Sequence, residues 1–147
     1  MKVDVSTELD CSADKAWDAV RTSALLLHVI WPLATIGPAG NALPPRWTEG
    51  ETIQCRPLIL GFIPVGIRTL HFECIDDTRR AIQSREHDAL VRRWDHRISI
   101  EPRGESRAFY RDEIEIDAGF VTGLVWAWAS VFYRHRQRRW RALARGL

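Results

Sequence analysis

The chain has 147 residues, of which 46% are hydrophobic and 27% charged, and its formal net charge is +2. These values are typical of a soluble globular protein with one domain, here residues 1–147, and the small net charge argues against a polyanion binder. Three cysteines without a paired short spacing argue against a disulfide scaffold and a zinc site. We therefore predict no metal and no cofactor, and expect a cytoplasmic location.

The N-terminal part of the chain predicts one strand followed by two short helices. Residues 3–9 alternate between apolar and polar side chains, which is typical of a half-buried strand and unlike a signal peptide. Ser12 is a suitable N-cap for a helix over 13–20, and a second helix over 23–30 ends before Pro32. Segment 36–45 is rich in glycine and proline and is predicted to be a loop.

The middle of the chain consists of short segments with the character of strands. They are separated by short turns, which predicts antiparallel hairpins. The predicted strands cover residues 51–58, 65–75, 81–87, 91–101 and 106–117.

The last predicted element is one long helix over 122–145, which changes character halfway along. Its first half, TGLVWAWASVFY, is apolar on nearly every face, and its second half contains six arginines. A helix that is apolar all round is expected to be buried all round. A curved sheet wrapped around that half, with a cavity between them, is the simplest arrangement. Because strands and helices are grouped separately, the fold class is predicted to be α+β.

Several segments together resemble the START-like (SRPBCC) superfamily, and the resemblance spans nearly the whole chain. They are SADKAWDAV, LGFIPVG, RRWDHRISIEP, YRDEIEIDAGFVTGLV and FYRHRQRRWRALA. The superfamily includes polyketide cyclases and dehydrases, relatives of the birch-pollen allergen and lipid-transfer domains. The resemblance implies a helix-grip fold with an internal cavity for a small hydrophobic molecule.

Alternation along the strands predicts which side chains face the cavity. A turn near Gly104 predicts that His96 faces Arg111 or Asp112, and the inward pattern favours Asp112, so a hydrogen bond between them is feasible. Ile116 is expected to form a further part of the wall. The predicted ligand-binding residues are Arg68, Leu70, Phe72, Trp94, His96, Ile98, Tyr110, Asp112, Ile114, Leu124, Val125, Trp128 and Phe132.

The polar residues of this set have two interpretations. In the first, Arg68, His96, Tyr110 and Asp112 orient a bound ligand through its polar group. In the second, His96 and Asp112 satisfy each other in the core. The resemblance also allows a polyketide cyclase or dehydrase, in which His96 exchanges a proton, Asp112 orients it, and Tyr110 or Arg68 stabilises an enolate oxygen.

Two surface features remain. The apolar hairpin tip 58–64 is interpreted as a gate over the cavity, as a patch for a membrane or a protein, or as packing against the second helix. The arginines of 134–145 are expected to be solvated or paired with Glu113 and Glu115, with an anionic lipid surface as an alternative. No nucleic-acid binding is predicted, because no groove-reading motif accompanies the arginines. The predicted partner is thus a small hydrophobic molecule, with transient membrane contact possible through 58–64 and the arginine-rich helix end; the oligomeric state stays open.

Overall fold

A curved antiparallel sheet and a long C-terminal helix form the framework of the protein, as predicted. A computed structural model describes residues 1–39 and 42–147. The strands are β1 Lys2–Leu9, β2 Ala34–Pro38, β3 Thr52–Ile59, β4 Ile63–Pro64, β5 Arg68–Asp76, β6 Ala81–His87, β7 Arg93–Pro102 and β8 Ala108–Asp117. The helices are α1 Ala13–Val20, α2 Ser23–Ile30 and α3 Thr122–Ala144.

The two short helices begin where the sequence offers N-caps. The Ser12 hydroxyl accepts a hydrogen bond from the Lys15 backbone at 3.2 Å, and Thr22 accepts one from Leu25 at 3.2 Å. Helix α1 buries Trp17 and Val20 on one face, as an amphipathic helix does. Both helices therefore close one end of the curved sheet with apolar side chains.

All strand pairs are antiparallel, in the order β1-β8-β7-β6-β5-β3-β2, with β4 added to β3. Helix α3 runs along the free edge of β1. The Gln137 side chain donates to the Val5 carbonyl at 2.9 Å, and the Trp126 indole donates to the Lys2 carbonyl at 2.8 Å. The helix thereby covers backbone groups that an edge strand otherwise leaves open.

Two predicted boundaries in the first half of the chain were wrong. Residues 36–38 of the expected loop belong to β2, because the backbone of Ala34–Pro38 pairs with β3 from Cys55 to Ile59. Gly40 and Asn41, also in the predicted loop, lie outside the described residues. Strand β5 begins at Arg68, and residues 65–67 connect it to β4.

The register of β7 and β8 also differs from the prediction. His96 is paired with Ile114, and Asp112 is paired with Ile98. The cause is the turn: Pro102 pairs with Ala108, so five residues connect the strands where two were assumed. Asp112 is therefore a diagonal neighbour of His96 on the same face of the sheet.

The prediction that the first half of α3 is buried on every face was wrong. Leu124 in the apolar first half is 76% exposed and Val131 is 57% exposed. The first half meets the cavity on one side and water on the other, because no helix or strand formed by residues 1–39 or 42–147 packs on its outer face. The second half presents a stripe at three- and four-residue spacing to the interior. The buried residues of α3 are Ala129, Ser130, Tyr133, Arg136, Gln137, Trp140 and Ala144.

The predicted pairing of the helix arginines with Glu113 and Glu115 was wrong. Glu113 lies 3.4 Å from Arg111 of its own strand, and Glu115 lies 3.6 Å from the N-terminal amine. The side chain of Arg145 lies 3.9 Å from Asp10. The acidic face of β8 is neutralised by the sheet itself, since α3 lies on the other face.

Candidate functional site

A cavity of about 360 Å³ lies between the inner face of the sheet and α3. This volume is within the range of small-molecule sites. Its wall is built mostly from apolar side chains of α2, β3, β5, β6, β7 and α3. The predicted site residues that line it are Arg68, Leu70, Phe72, Trp94, His96, Ile98, Leu124, Val125, Trp128 and Phe132.

Three predicted site residues are not part of the cavity wall. Tyr110, Asp112 and Ile114 are fully or almost fully buried on β8, as is the expected wall residue Ile116. Ile114 and Ile116 pack in a cluster with Ala129 of α3. The inward side chains of β8 therefore meet the helix directly, and the cavity begins at β7, one strand further along the sheet.

His96 connects the cavity wall to a buried carboxylate. Its Nε2 lies 2.8 Å from Oδ1 of Asp112, which also accepts a hydrogen bond from the Tyr110 hydroxyl at 3.0 Å. The other oxygen, Oδ2, accepts from the Gln137 amide at 3.0 Å. The carboxylate thus has three side-chain donors, and the hydrogen bond between His96 and Asp112 forms despite the different register.

The electrostatics of this cluster keep Asp112 ionised. Burial acts to raise the pKa of Asp112, but the hydrogen bond from His96 and the charge of Arg136 outweigh it, so the pKa is below the ordinary value. An ionised Asp112 accepts a hydrogen bond from the N–H group at Nε2 of His96. A neutral His96 then carries its proton on Nε2, and its Nδ1 has no hydrogen-bond partner among the described residues.

Arg68 belongs to a second polar group in the wall. Its guanidinium lies 2.9 Å from Glu86 and 2.9 Å from Asp88, and its central carbon lies 4.4 Å from the centre of the Trp94 ring. The Ser84 hydroxyl donates to the other Glu86 oxygen at 3.1 Å. Arg68 is therefore paired with two carboxylates, and its charge is matched within the wall.

Several residues of the site were missed from the sequence. Glu86 and Ser84 share the inward face of β6 with Ile82, so alternation along that strand was a usable signal. Tyr133 and Arg136 of α3 also line the cavity. Arg136 lies one helical turn beyond Phe132 and was overlooked because the arginine-rich half of α3 was taken as a solvated face. Tyr133 ends the apolar half of the helix and was not included in the predicted wall.

Cys55 also lines the cavity. Burial raises the pKa of its thiol to about 11, so the thiol is protonated at neutral pH and is a poor nucleophile.

The described residues contain no group of three histidine, cysteine or carboxylate side chains placed to hold a metal ion.

Exposed apolar side chains mark the opening of the cavity. Val65, Leu90 and Leu124 line it and are also exposed. At the tip 58–64, Phe62 is 73% exposed, and the Leu60 backbone donates to the Leu33 carbonyl at 2.7 Å. The tip therefore touches the segment after α2, as the gate and packing interpretations require.

The two features predicted to contact a membrane surface, the tip 58–64 and the arginine-rich half of α3, both reach Trp31. A Cβ atom at Gly61 would lie 3.0 Å from the Trp31 ring, and Nε2 of His135 lies 2.9 Å from the Trp31 carbonyl. Arg134, Arg138 and Arg141 border a shallow groove beside β1. None of the helices in the described ranges combines the length and the hydropathy needed to cross a bilayer.

A curled antiparallel sheet around a long C-terminal helix, enclosing a cavity, is the helix-grip fold of START-like proteins. The chain belongs to the family described as "Domain of unknown function (DUF8410)", whose model matches residues 7–144. No curated protein matches the chain.

Solved structures with this fold include proteins of different stated roles. A START superfamily protein from Mycobacterium smegmatis has a TM-score of 0.71 at 14% identity, over 97% of this chain and 96% of that one. The Zhui aromatase/cyclase from Streptomyces sp. R1128 has a TM-score of 0.67 at 13% identity, over 98% and 93%. The di-domain ARO/CYC BexL from the BE-7585A biosynthetic pathway has a TM-score of 0.70 at 14% identity, over 97% of this chain. The chain spans only 45% of the BexL chain. At these identities the likeness concerns the fold alone.

Proposed function

We propose that the protein binds a small, mostly apolar molecule in the cavity between the sheet and α3. The observation that carries this proposal is the cavity itself, about 360 Å³ with a largely apolar wall and a few polar side chains. Such a combination is what small-molecule sites need, because apolar area supplies affinity and a few polar groups supply orientation. The role of START-like and aromatase/cyclase proteins of the same fold is compatible with it.

Binding of a neutral apolar probe tests the proposal. The probe N-phenyl-1-naphthylamine fluoresces when it leaves water, so its titration measures entry into the cavity. We expect saturable binding to the wild type and about tenfold weaker binding to Val125→Trp, because the larger ring occupies the cavity. The matched control is Val131→Trp on the exposed side of the same helix, which is expected to bind like the wild type.

Equal binding by wild type and Val125→Trp, with both folded, contradicts the proposal. Native mass spectrometry of protein purified from its own host gives an independent measurement. A co-purifying small molecule that is lost from Val125→Trp and kept by Val131→Trp identifies the natural ligand.

One observation favours a second function, that of a polyketide cyclase or dehydrase. His96 lines the cavity with a hydrogen-bonded carboxylate behind it, which is how a general base is oriented. In this function Nδ1 of His96 takes a proton from a carbon next to a carbonyl, and Asp112 stabilises the imidazolium that forms. Asp112 and Tyr110 are then positioning residues, because neither reaches the cavity.

Exchange of the methyl protons of 2-acetylnaphthalene with deuterium oxide, followed by NMR, measures this proton transfer. A base at His96 accelerates the exchange, and His96→Gln abolishes the acceleration while the probe still binds. If the wild type binds 2-acetylnaphthalene without accelerating exchange, the enzymatic alternative is wrong and the binding function stands.

A further inference from the structure

Arg136 is a buried positive charge in the wall of a mostly apolar cavity. It is 8% exposed, and its guanidinium carbon lies 4.9 Å from the centre of the Tyr133 ring and 5.9 Å from that of Phe132. All three residues line the cavity. At 1.5 Å per residue, Arg136 lies about 18 Å along α3 from Leu124 at the opening. The charge therefore sits deep in the site, away from the exposed apolar opening.

The guanidinium of Arg136 lacks the partners that such a group normally has. Its Nε is buried without a hydrogen-bond partner, and no carboxylate of residues 1–39 or 42–147 lies within 4.0 Å of the group. Arg68, in the same wall, has two carboxylates at 2.9 Å. A guanidinium has five donors, and burying them unpaired costs free energy. Nε itself is enclosed by protein, so the donors that remain for an anionic ligand are the two terminal nitrogens of Arg136, which are not among the buried unpaired atoms of the described residues.

Asp112, the acid whose charge acts most strongly on Arg136, does not accept hydrogen bonds from these donors. The oxygens of Asp112 already accept from His96, Tyr110 and Gln137. Burial acts to lower the pKa of Arg136, but the charge of Asp112 outweighs it, so the pKa is raised and the group stays charged. Asp112 therefore helps to keep Arg136 charged without hydrogen bonding to it.

The side chains next to Arg136 supply one further donor and do not form an ion pair with the guanidinium. The Tyr133 hydroxyl accepts a hydrogen bond from the Trp94 indole at 3.2 Å, so its own proton is free to be donated. Glu86, the carboxylate that also lines this part of the wall, is paired with Arg68. The Tyr133 hydroxyl is therefore a second donor beside Arg136, and together the two groups suit an oxyanion.

We propose that Arg136 binds an anionic oxygen group of the ligand, assisted by the Tyr133 hydroxyl. The ligand is then an apolar acid, with its carboxylate or equivalent oxyanion at the inner end of the cavity and its apolar body along Trp128 and Val125 toward the opening. This inference rests on the proposed binding function and adds the chemical class of the ligand.

Matched pairs of an acid and its amide test this inference at neutral pH. Decanoic acid and decanamide form one pair, and 2-naphthoic acid and 2-naphthamide form the other; the members of each pair differ mainly in charge. Calorimetric titration of the wild type is expected to give about 10- to 100-fold tighter binding of the acid, the range for hydrogen bonds to a charged group. Arg136→Gln is expected to remove this preference and to leave amide binding within about threefold.

The matched control is Arg138→Gln, an exposed arginine on the same helix, which is expected to keep the preference for the acid. If wild type binds acid and amide equally, the anion site is wrong and the binding function remains. If Arg138→Gln loses the preference and Arg136→Gln keeps it, the site on Arg136 is also wrong. If neither member of either pair binds, and N-phenyl-1-naphthylamine does not bind, both the inference and the proposed function fail. The comparison in the wild type decides the question even if Arg136→Gln does not fold.

Discussion

Replacement of Asp112 by asparagine changes the most tightly enclosed polar group in the protein. The carboxylate is completely buried and accepts three side-chain hydrogen bonds, from His96, Tyr110 and Gln137. Asparagine has nearly the same shape but carries only one acceptor oxygen. If that oxygen keeps His96 and Tyr110, the new amide group faces the amide donor of Gln137.

The expected loss of stability follows from these contacts. Two buried donors facing each other cost about 1–3 kcal/mol, because neither has an acceptor. The Gln137 amide cannot simply rotate, since the same nitrogen donates to the Val5 carbonyl at 2.9 Å. The two remaining bonds lose their charge-assisted character, which costs about 0.5–1 kcal/mol each. Together, Asp112→Asn is expected to lower the free energy of unfolding by about 2–5 kcal/mol.

Urea unfolding followed by tryptophan fluorescence measures this change. The control is Glu113→Gln, the next residue on the outer face of β8, where loss of a surface ion pair with Arg111 costs at most about 1 kcal/mol. A loss below about 1 kcal/mol for Asp112→Asn would refute the energetic role assigned to the cluster.

The same variant has a defined pH dependence. The pKa of Asp112 in the folded protein is lowered from the ordinary 3.8 by the hydrogen bond from His96 and the charge of Arg136, against the effect of burial. Its contribution to stability is thus fully present above that pH and is lost as the pH falls through the folded pKa. The difference between wild type and Asp112→Asn should therefore be constant near neutral pH and shrink below about pH 4.

Two further measurements concern the other buried ionisable groups. Tyr110 and Tyr133 are the only tyrosines, and burial raises the pKa of both, so absorbance at 295 nm should show no phenolate near pH 10 in the folded state. Because the unfolded tyrosines ionise near pH 10 and the folded ones do not, the stability that the two buried tyrosines contribute is kept below pH 10 and lost at higher pH. Phenolate absorbance that appears near pH 10 while the tryptophan fluorescence is still native would contradict this. Arg68→Met leaves the carboxylates of Glu86 and Asp88 unpaired, and a loss of about 3–5 kcal/mol in urea unfolding is expected. Partial recovery in the double variant with Glu86→Gln is the expected control, and full stability of Arg68→Met would be the contrary outcome.

Much of the fold was predictable because local patterns and the overall fold agree. The alternation in β7 and β8 identified Trp94, His96 and Ile98 as inward residues, and each of these lines the cavity. The caps Ser12 and Thr22 begin the two short helices, although only Ser12 was recognised. Burial on one face of a strand or helix is a short-range property, and the sequence carries it directly.

The features that were missed depend on chain segments far apart in sequence. The five-residue turn before Ala108 moves the partner of His96 from Arg111 or Asp112 to Ile114, a shift of three or two positions. Turn length follows from contacts that alternation does not encode. Asp112 and Ile114 lie behind the cavity wall because β8 packs directly on α3, with Ile114 in the same cluster as Ala129. The sequence shows which face of a strand turns inward, but not whether that face meets protein or empty space.

The one-sided burial of α3 has a consequence for the direction of ligand binding. A uniformly buried apolar helix would favour an apolar cavity whose two ends are alike, so that a ligand would have no preferred orientation. In the structure the apolar residues of α3, such as Leu124, lie at the exposed opening, whereas Arg136 lies inside without a paired carboxylate among the described residues. An uncharged apolar molecule gains no affinity from either orientation, since it cannot accept a hydrogen bond from Arg136 at the inner end of the cavity. An apolar acid gains affinity in one orientation only, with its acid at Arg136. The arginine-rich half of the helix, which looked like a solvent face, thus contributes the residue that distinguishes one end of the cavity from the other.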